Sequence, residues 1–338
     1  MLNKAYINLG TLCENANSVK KLLNNNTRFC AVVKADGYGH GAVKVANALY
    51  KKVDSFAVAL TEEGIALRQG GIDKEILQLI PPFTEDLEQA VRYNLTLTAD
   101  SAEKLAEING EAERQGKIIN VHLKINTGMN RMGIDDIKDL KHILDFSKRL
   151  KGVKISGAFS HFGTPENKKQ LMLAQNKFLL ANNLVKRYNS NAICHISASG
   201  GLLQGVQGDM VRIGILLYGY KPFESRMISV KPIMKILAPT LLDRRLLKGE
   251  SALYGGKVAK EDYSLKLVRC GYADGFFREE NEDIFSNRCM DVTQYIAEGK
   301  GKFFTVLDDA EKIARSHNTI SYEILTSATK RAEKIYIN

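Results

Sequence analysis

Short runs of consecutive apolar residues, evenly spaced and separated by longer amphipathic stretches, constrain the fold of this chain more than any other feature. The runs fall at 28–33, 55–60, 76–80, 95–99, 119–126, 154–161, 192–197 and 210–217. Between them, 42–51, 84–93, 101–115, 137–150 and 169–188 repeat apolar residues at i, i+3 or i+4, the spacing of a helix with one buried face. A strand that is apolar throughout is covered on both sides, and strands of this kind followed by helices imply a parallel sheet. Eight such units in about 200 residues predict a (β/α)8 barrel rather than an open sheet. Asp100 followed by Glu103 predicts a capping box at one helix start.

Beyond Tyr218 the pattern changes. Candidate strands at 229–237, 247–254, 265–270 and 302–307 follow one another without regular crossover helices, which predicts a second, mainly β domain. The expected division is 1–220 for the barrel and 221–338 for the β domain, with the first ten or so residues a candidate to pack with the latter. Apolar residues make up 44% and charged residues 25%, ordinary for a soluble protein, and no apolar stretch approaches a membrane span. The start, Met1 to Leu9, lacks the pattern of an export signal, so a cytoplasmic location is expected. The 5 cysteines are odd in number, dispersed and without CxxC spacing, which argues against a disulfide framework or a metal site. The net charge of +10 is spread along helical faces rather than gathered into a block, so nucleic acid is not expected as a partner.

In barrels of this type, chemistry collects where strands end and loops begin. Lys34 closes the first run, just before the glycine-rich Gly37-Tyr38-Gly39-His40-Gly41. A buried lysine has a lowered pKa and becomes an amine able to condense with an aldehyde. The glycine-rich segment lacks GxGxxG spacing, which argues against a dinucleotide. Arg131 follows the fifth run, His161 ends the sixth, Ser199 follows the seventh, and Arg212, Gly214 and Ile215 lie in the eighth. The Ser199 hydroxyl and the backbone N–H groups of Gly214 and Ile215 suit a phosphate.

Val32 to Gly41 closely resembles the segment that carries the cofactor lysine in bacterial alanine racemases, which use pyridoxal 5'-phosphate (PLP). Met210 to Gly219 resembles that family's segment with an arginine facing the pyridine nitrogen, although Ile213 stands where proline is usual. The resemblance continues through His122 to Gly133, Phe159 to Phe162, Ser251 to Gly256, Cys270 to Gly275, Met290-Asp291 and Thr319 to Glu323, and runs from Tyr6 to Tyr336. It implies a cytoplasmic enzyme that interconverts L- and D-alanine, supplies D-alanine for peptidoglycan, and works as a head-to-tail homodimer. Lys34 and Tyr254 are then the two opposed acid/base groups. The resemblance places Lys34, Tyr38, His161, Ser199, Arg212, Gly214, Ile215 and Tyr322 at the cofactor, and Arg131 and Met290 at the substrate. Lys124, at a position carbamylated in many members, would hold Arg131, and Tyr272 would line the entrance. The approach to Met290 through Asn287-Arg288-Cys289 departs from the family's pattern, as does the shorter span from Phe276 to Met290.

Two other readings remain beside this one. A serine or broad-specificity racemase would share the scaffold and differ in the pocket around Tyr254 and Met290. A non-catalytic PLP-binding barrel would lack the second domain and Tyr254. Related barrel decarboxylases place a glutamate at the pyridine nitrogen, where Arg212 stands here.

Overall fold

The computed structural model describes residues 2–254, 256–279 and 281–338. It divides the chain into two compact units, one of Leu12–Gly37 with Ala42–Lys231, the other of Met1–Thr11, Tyr38–Gly41 and Pro232–Asn338. The amino-terminal strand β1 (Asn3–Asn8) belongs to the second unit.

In the first unit the apolar runs become β2 (Arg28–Val32), β3 (Ser55–Val58), β4 (Glu75–Gln78), β5 (Leu97–Ala99), β6 (Ile119–Lys124), β7 (Val153–Phe159), β8 (Ile193–His195) and β9 (Met210–Ile213). They pair in parallel as β4-β3-β2-β9 and β5-β6-β7-β8. A bridge between Leu77 and Thr96 joins the two sets on one side, and a bridge between Ala198 and Arg212 joins them on the other. The result is a closed barrel whose strands carry Val, Ile, Leu, Phe and Ala to both faces, as parallel strands covered by helices require. Helices Ala42–Leu49, Leu87–Arg92, Ala102–Arg114, Ile137–Ser147 and Lys168–Tyr188 lie where amphipathic spacing predicts them. Leu9–Lys20 and Thr61–Gln69 are further helices not read from that spacing.

Three expectations need correction here. The eighth run stops being a strand at Ile213, so Gly214 and Ile215 sit in the tight turn beyond it, where Leu217 N–H donates to Gly214 O at 2.8 Å. His161 likewise lies past the end of its strand, which closes at Phe159. The helix cap is Ser101 rather than Asp100: its hydroxyl accepts from Lys104 N–H at 3.1 Å, the side-chain-to-N3 bond that satisfies a free amide of the first turn.

The second unit is built on β10 (Met234–Leu246), a long strand that pairs antiparallel with β1 in its first half and with β13 (Tyr263–Val268) in its second. The main sheet runs β14 (Thr293–Ile296), β13, β10, β1 and β16 (Ala332–Ile337), with β15 (Phe303–Leu307) also on β10. The strand expected at 229–237 begins only at Met234, after Pro232 removes a donor, and continues to Leu246. The strand expected at 247–254 shrinks to β11 (Ser251–Ala252), hairpinned with β12 (Lys257–Val258), which leaves Tyr254 in the turn. No described helix is long and apolar enough to cross a membrane.

Candidate active site

Lys34 stands two residues past the end of β2, at the start of a turn that winds the wrong way. Ala35, Asp36, Gly37 and Tyr38 have φ of 52°, 52°, 63° and 54°, a run of left-handed residues of which only one is glycine. Each non-glycine residue there costs about 1–2 kcal/mol, so the turn persists only because other bonds hold it. Gly37 N–H donates to Val33 O at 2.8 Å, and Ala42 N–H donates to Asp36 Oδ1 at 2.8 Å. Glu63 completes the clamp: one carboxylate oxygen accepts from Ala35 N–H at 2.5 Å, the other from Ala59 N–H at 2.7 Å. Backbone strain of this kind clusters at functional sites, where it aims a side chain. Burial and then the charge of Arg131 lower the Lys34 pKa, with Glu63 opposing them.

The other mouth residues of the barrel share this field. Lys124, the last residue of β6, is buried with its ammonium 4.5 Å from the centre of the Phe159 ring. Burial first, then Arg212 and Arg131, take its pKa down to about 7. Arg131 is exposed on a loop that closes on Asn126, whose side-chain oxygen accepts from Gly128 and Asn130 N–H and whose amide donates to Asp135 at 2.6 Å. His161 is held neutral, its pKa pushed well below the ordinary range by burial and by Arg212, Lys124, Arg131 and Lys34.

Arg212 is buried in β9 and its two terminal nitrogens are engaged. Nη1 donates to His195 Nδ1 at 2.5 Å and to His195 O at 3.2 Å; Nη2 donates to Ser160 O at 2.6 Å and Ile196 O at 3.2 Å, with His161 Nδ1 at 3.4 Å. Nε–H is the donor these bonds leave over. Burial lowers the guanidinium only to about 10, so it stays charged at neutral pH. Ser199 opens the short helix Ser199–Leu203, and its hydroxyl lies 3.4 Å from Gly214 N, so hydroxyl and amide face one another across the β8 and β9 loops.

Lys34, Lys124, Arg131, His161, Ser199, Arg212, Gly214 and Ile215 thus gather in the first unit at the carboxyl ends of the strands. The cationic groups outnumber the acidic Glu63 among them, and the donors converge beside a lysine amine of lowered pKa. That donor set fits an anionic aldehyde carrying a phosphate, and so fits PLP.

The second unit holds the remaining candidates in two places. Tyr38 and Tyr322 have ring centroids 5.8 Å apart, and burial raises the Tyr322 hydroxyl to about 12. Tyr272 N–H donates to Cys289 O and Ala273 N–H to Met290 O, both at 3.0 Å, which brings the turn at 272–274 against the strand approach to Met290. Arg331 fastens this pair, reaching Asp274 at 2.8 Å and Asp291 at 2.9 Å. Tyr254 joins neither group; it is 76% exposed.

Sequence reasoning missed Glu63, His122, His195, Asn126 and Arg331. Glu63 sits in an unremarked helix, and the two histidines lie inside otherwise apolar runs. Asn126 ends such a run, and only its spacing before Gly128 hinted at a loop clasp.

Residues 7–222 match the alanine racemase N-terminal domain family and 233–336 the alanine racemase C-terminal domain family. An alanine racemase of Thermodesulfovibrio yellowstonii is 33% identical, covering 99% of this chain and 97% of that one. One of Treponema denticola is 30% identical over 99% and 98%. Among solved structures, an alanine racemase of Clostridium difficile 630 superposes with a TM-score of 0.93 at 31% identity, covering 100% of this chain and 96% of that one. An alanine racemase of Bacillus anthracis with bound L-Ala-P gives 0.88 at 25% identity, covering 99% and 95%.

Proposed function

The chain belongs to the alanine racemase family, and from that premise we propose that it interconverts L- and D-alanine with PLP, using Lys34 and Tyr254 as the two opposed acid/base groups. The observation that carries this reading is the convergence at one barrel mouth of a lysine amine with lowered pKa, a buried arginine with Nε–H to spare, and a hydroxyl–amide pair. The cofactor, when bound, withdraws electrons from the amino acid and so acidifies its Cα–H.

Lys34 would hold the cofactor through its amine. With an amino acid bound, the lysine amine would accept or return the proton on one face of Cα. Ser199 and the amides of Gly214 and Ile215 would hold the phosphate, and Tyr38 and Tyr322 would bind the cofactor. Arg212 would offer Nε–H to the cofactor's ring nitrogen. Because a guanidinium only donates, it would leave that nitrogen unprotonated, which would weaken electron withdrawal and favour prompt return of the proton over side reactions. Arg131 takes the substrate carboxylate, and Lys124 steadies it after conversion to a carbamate, for which a pKa of about 7 supplies the neutral amine.

Tyr254 serves the opposite face. Its side chain stands exposed in the turn after β11. We therefore place it against the cofactor of a second copy, in a head-to-tail homodimer. Exposure of Tyr254, and of the neighbouring pair Met290 at 54% and Tyr272 at 39%, leaves surface on the β unit for a partner to cover. On this reading 1–220 carry most of the cofactor-binding residues and 221–338 complete the partner's site. D-Alanine made in the cytoplasm would feed peptidoglycan.

The test is racemisation of a panel of L-amino acids, followed by borohydride reduction and peptide mapping. Fast conversion of alanine alone, with the pyridoxyl adduct on Lys34, is expected. Equal rates on serine would favour the broad-specificity reading, and an adduct confined to another lysine would end the assignment.

A further inference from the structure

Behind Arg212, a line of polar side chains crosses the barrel to its opposite end. His195 Nε2 lies 3.0 Å from His122 Nδ1, and His122 Nε2 lies 3.9 Å from Glu75 Oε1. His195 and His122 are buried, while Glu75 opens β4 and is partly exposed. Glu75 borders a polar cavity at the amino-terminal ends of the strands, lined by Arg28, Thr96, Asn120, His122 and Lys154. The packing around the line is tight. His195 stacks on Phe159 with an interplanar angle of 5° and a centroid distance of 5.2 Å. A Cβ on Gly157 would lie 2.6 Å from His122 Nε2, so glycine leaves the space that ring occupies.

The chemistry of the end group fixes where every proton in the line resides. An arginine has only donors. Its bond to His195 Nδ1 therefore requires that nitrogen to be bare, and the His195 proton must sit on Nε2. That N–H faces His122 Nδ1, which must be bare in turn, so the His122 proton sits on Nε2, the nitrogen that lies 3.9 Å from Glu75 Oε1. Each ring is thus a neutral imidazole with its dipole aligned in the same sense. We propose that His122 is a positioning residue for Arg212: by accepting from His195 Nε2–H it locks the His195 tautomer that receives Nη1–H, and so fixes the direction of Nε–H. Burial, which lowers the His122 pKa to about 3, is consistent with neutral rings.

Without an acceptor at 122, His195 could carry its proton on Nδ1. Two donors would then meet at Arg212 Nη1, and the guanidinium would turn. The catalytic part of this inference rests on the proposed placement of Arg212 at the ring nitrogen; the tautomer order does not.

The experiment uses the holoenzyme labelled with ¹⁵N-histidine. At neutral pH the wild type should show bare Nδ1 and protonated Nε2 on both rings. His122→Leu should give His195 a mixed or reversed pattern and lower kcat by about tenfold, the effect of one misplaced buried hydrogen bond, with KM for alanine little changed. His122→Asn, whose amide oxygen can take the Nδ1 place, should restore the His195 pattern and most of kcat. A wild-type His195 protonated on Nδ1 refutes the inference, even should the leucine variant fail to fold. Equal losses in the leucine and asparagine variants refute it as well. An inactive protein with the expected tautomers overturns the proposed function and leaves the order of protons standing.

Discussion

Lys124→Met isolates the electrostatic tension in the barrel mouth. The folded chain holds this ammonium at a pKa of about 7, against 10.5 for an ordinary lysine, because it is buried and faces Arg212 and Arg131. At about 1.36 kcal/mol per unit, keeping the lysine inside costs about 4 kcal/mol at pH 7 and about 2 kcal/mol at pH 9. Between those two pKa values the unfolded chain binds the extra proton. Stability therefore rises with pH across the window from about 7 to 10.5, and the full penalty applies below it. Methionine keeps an unbranched chain against Phe159 and has nothing to titrate. Urea unfolding at pH 7 and pH 9, in CO2-depleted buffer at one protomer concentration, measures the gap between variant and wild type. The variant should gain about 4 kcal/mol at the lower pH and about 2 kcal/mol at the higher. Any constant difference in packing cancels in that comparison. A gap of the same size at both pH values would refute the reasoning. Bicarbonate at pH 9 should stabilise only the wild type, because the proposed carbamate would set a negative charge between two arginines.

Tyr254→Phe should keep the cofactor and lose racemisation by about 10² to 10⁴, the range for one acid/base group; full activity in both directions would contradict the two-base assignment. Mixing Tyr254→Phe with Lys34→Ala chains should restore activity once subunits exchange, and no recovery after verified exchange would rule out the cross-subunit arrangement. Arg212→Glu should slow racemisation and give a new long-wavelength absorbance, and its absence at wild-type rates would show that Arg212 does not face the ring nitrogen. Gly157→Ala puts a methyl group 2.5 Å from Ile193 O and 2.6 Å from His122 Nε2, and should cost about 1–3 kcal/mol in thermal unfolding. An unshifted midpoint would show that the strands can part there.

The barrel was legible because a doubly covered strand leaves a plain mark, a short run without polar interruptions. The β unit was less so. The boundary of β10 is set by Pro232 and by pairing with β1, β13 and β15, partners distant in the chain. Strands β1, β14 and β16 are short and mixed in polarity, and periodicity alone does not separate them from loops. At the site, the residues at strand ends could be named, but their supports could not. Glu63 works from a different helix, and His122 and His195 read as ordinary core until their ring nitrogens are placed in space. The left-handed turn after Lys34 was hidden for another reason: Ala35 and Asp36 do not favour that conformation, and only bonds from elsewhere impose it.

The pairing of β1 bears on how the chain is made. Asn3 aligns with Ala332 and Asn8 with Ile337 in parallel register. One of these strands is made long before the other. Every strand of the barrel, through Ile213, leaves the ribosome before β10 does, so the barrel has its partners while β1 still has none. Until β10 and β16 emerge, β1 is an unsatisfied strand edge, the kind of surface that invites pairing with a neighbouring chain. Its own loop must close across every barrel strand and most of the β unit, which places sheet completion late and makes it slow. A ribosome that stalls before β16 would release a chain with a finished barrel and an amino-terminal strand open on one side, a form that chaperones would have reason to hold.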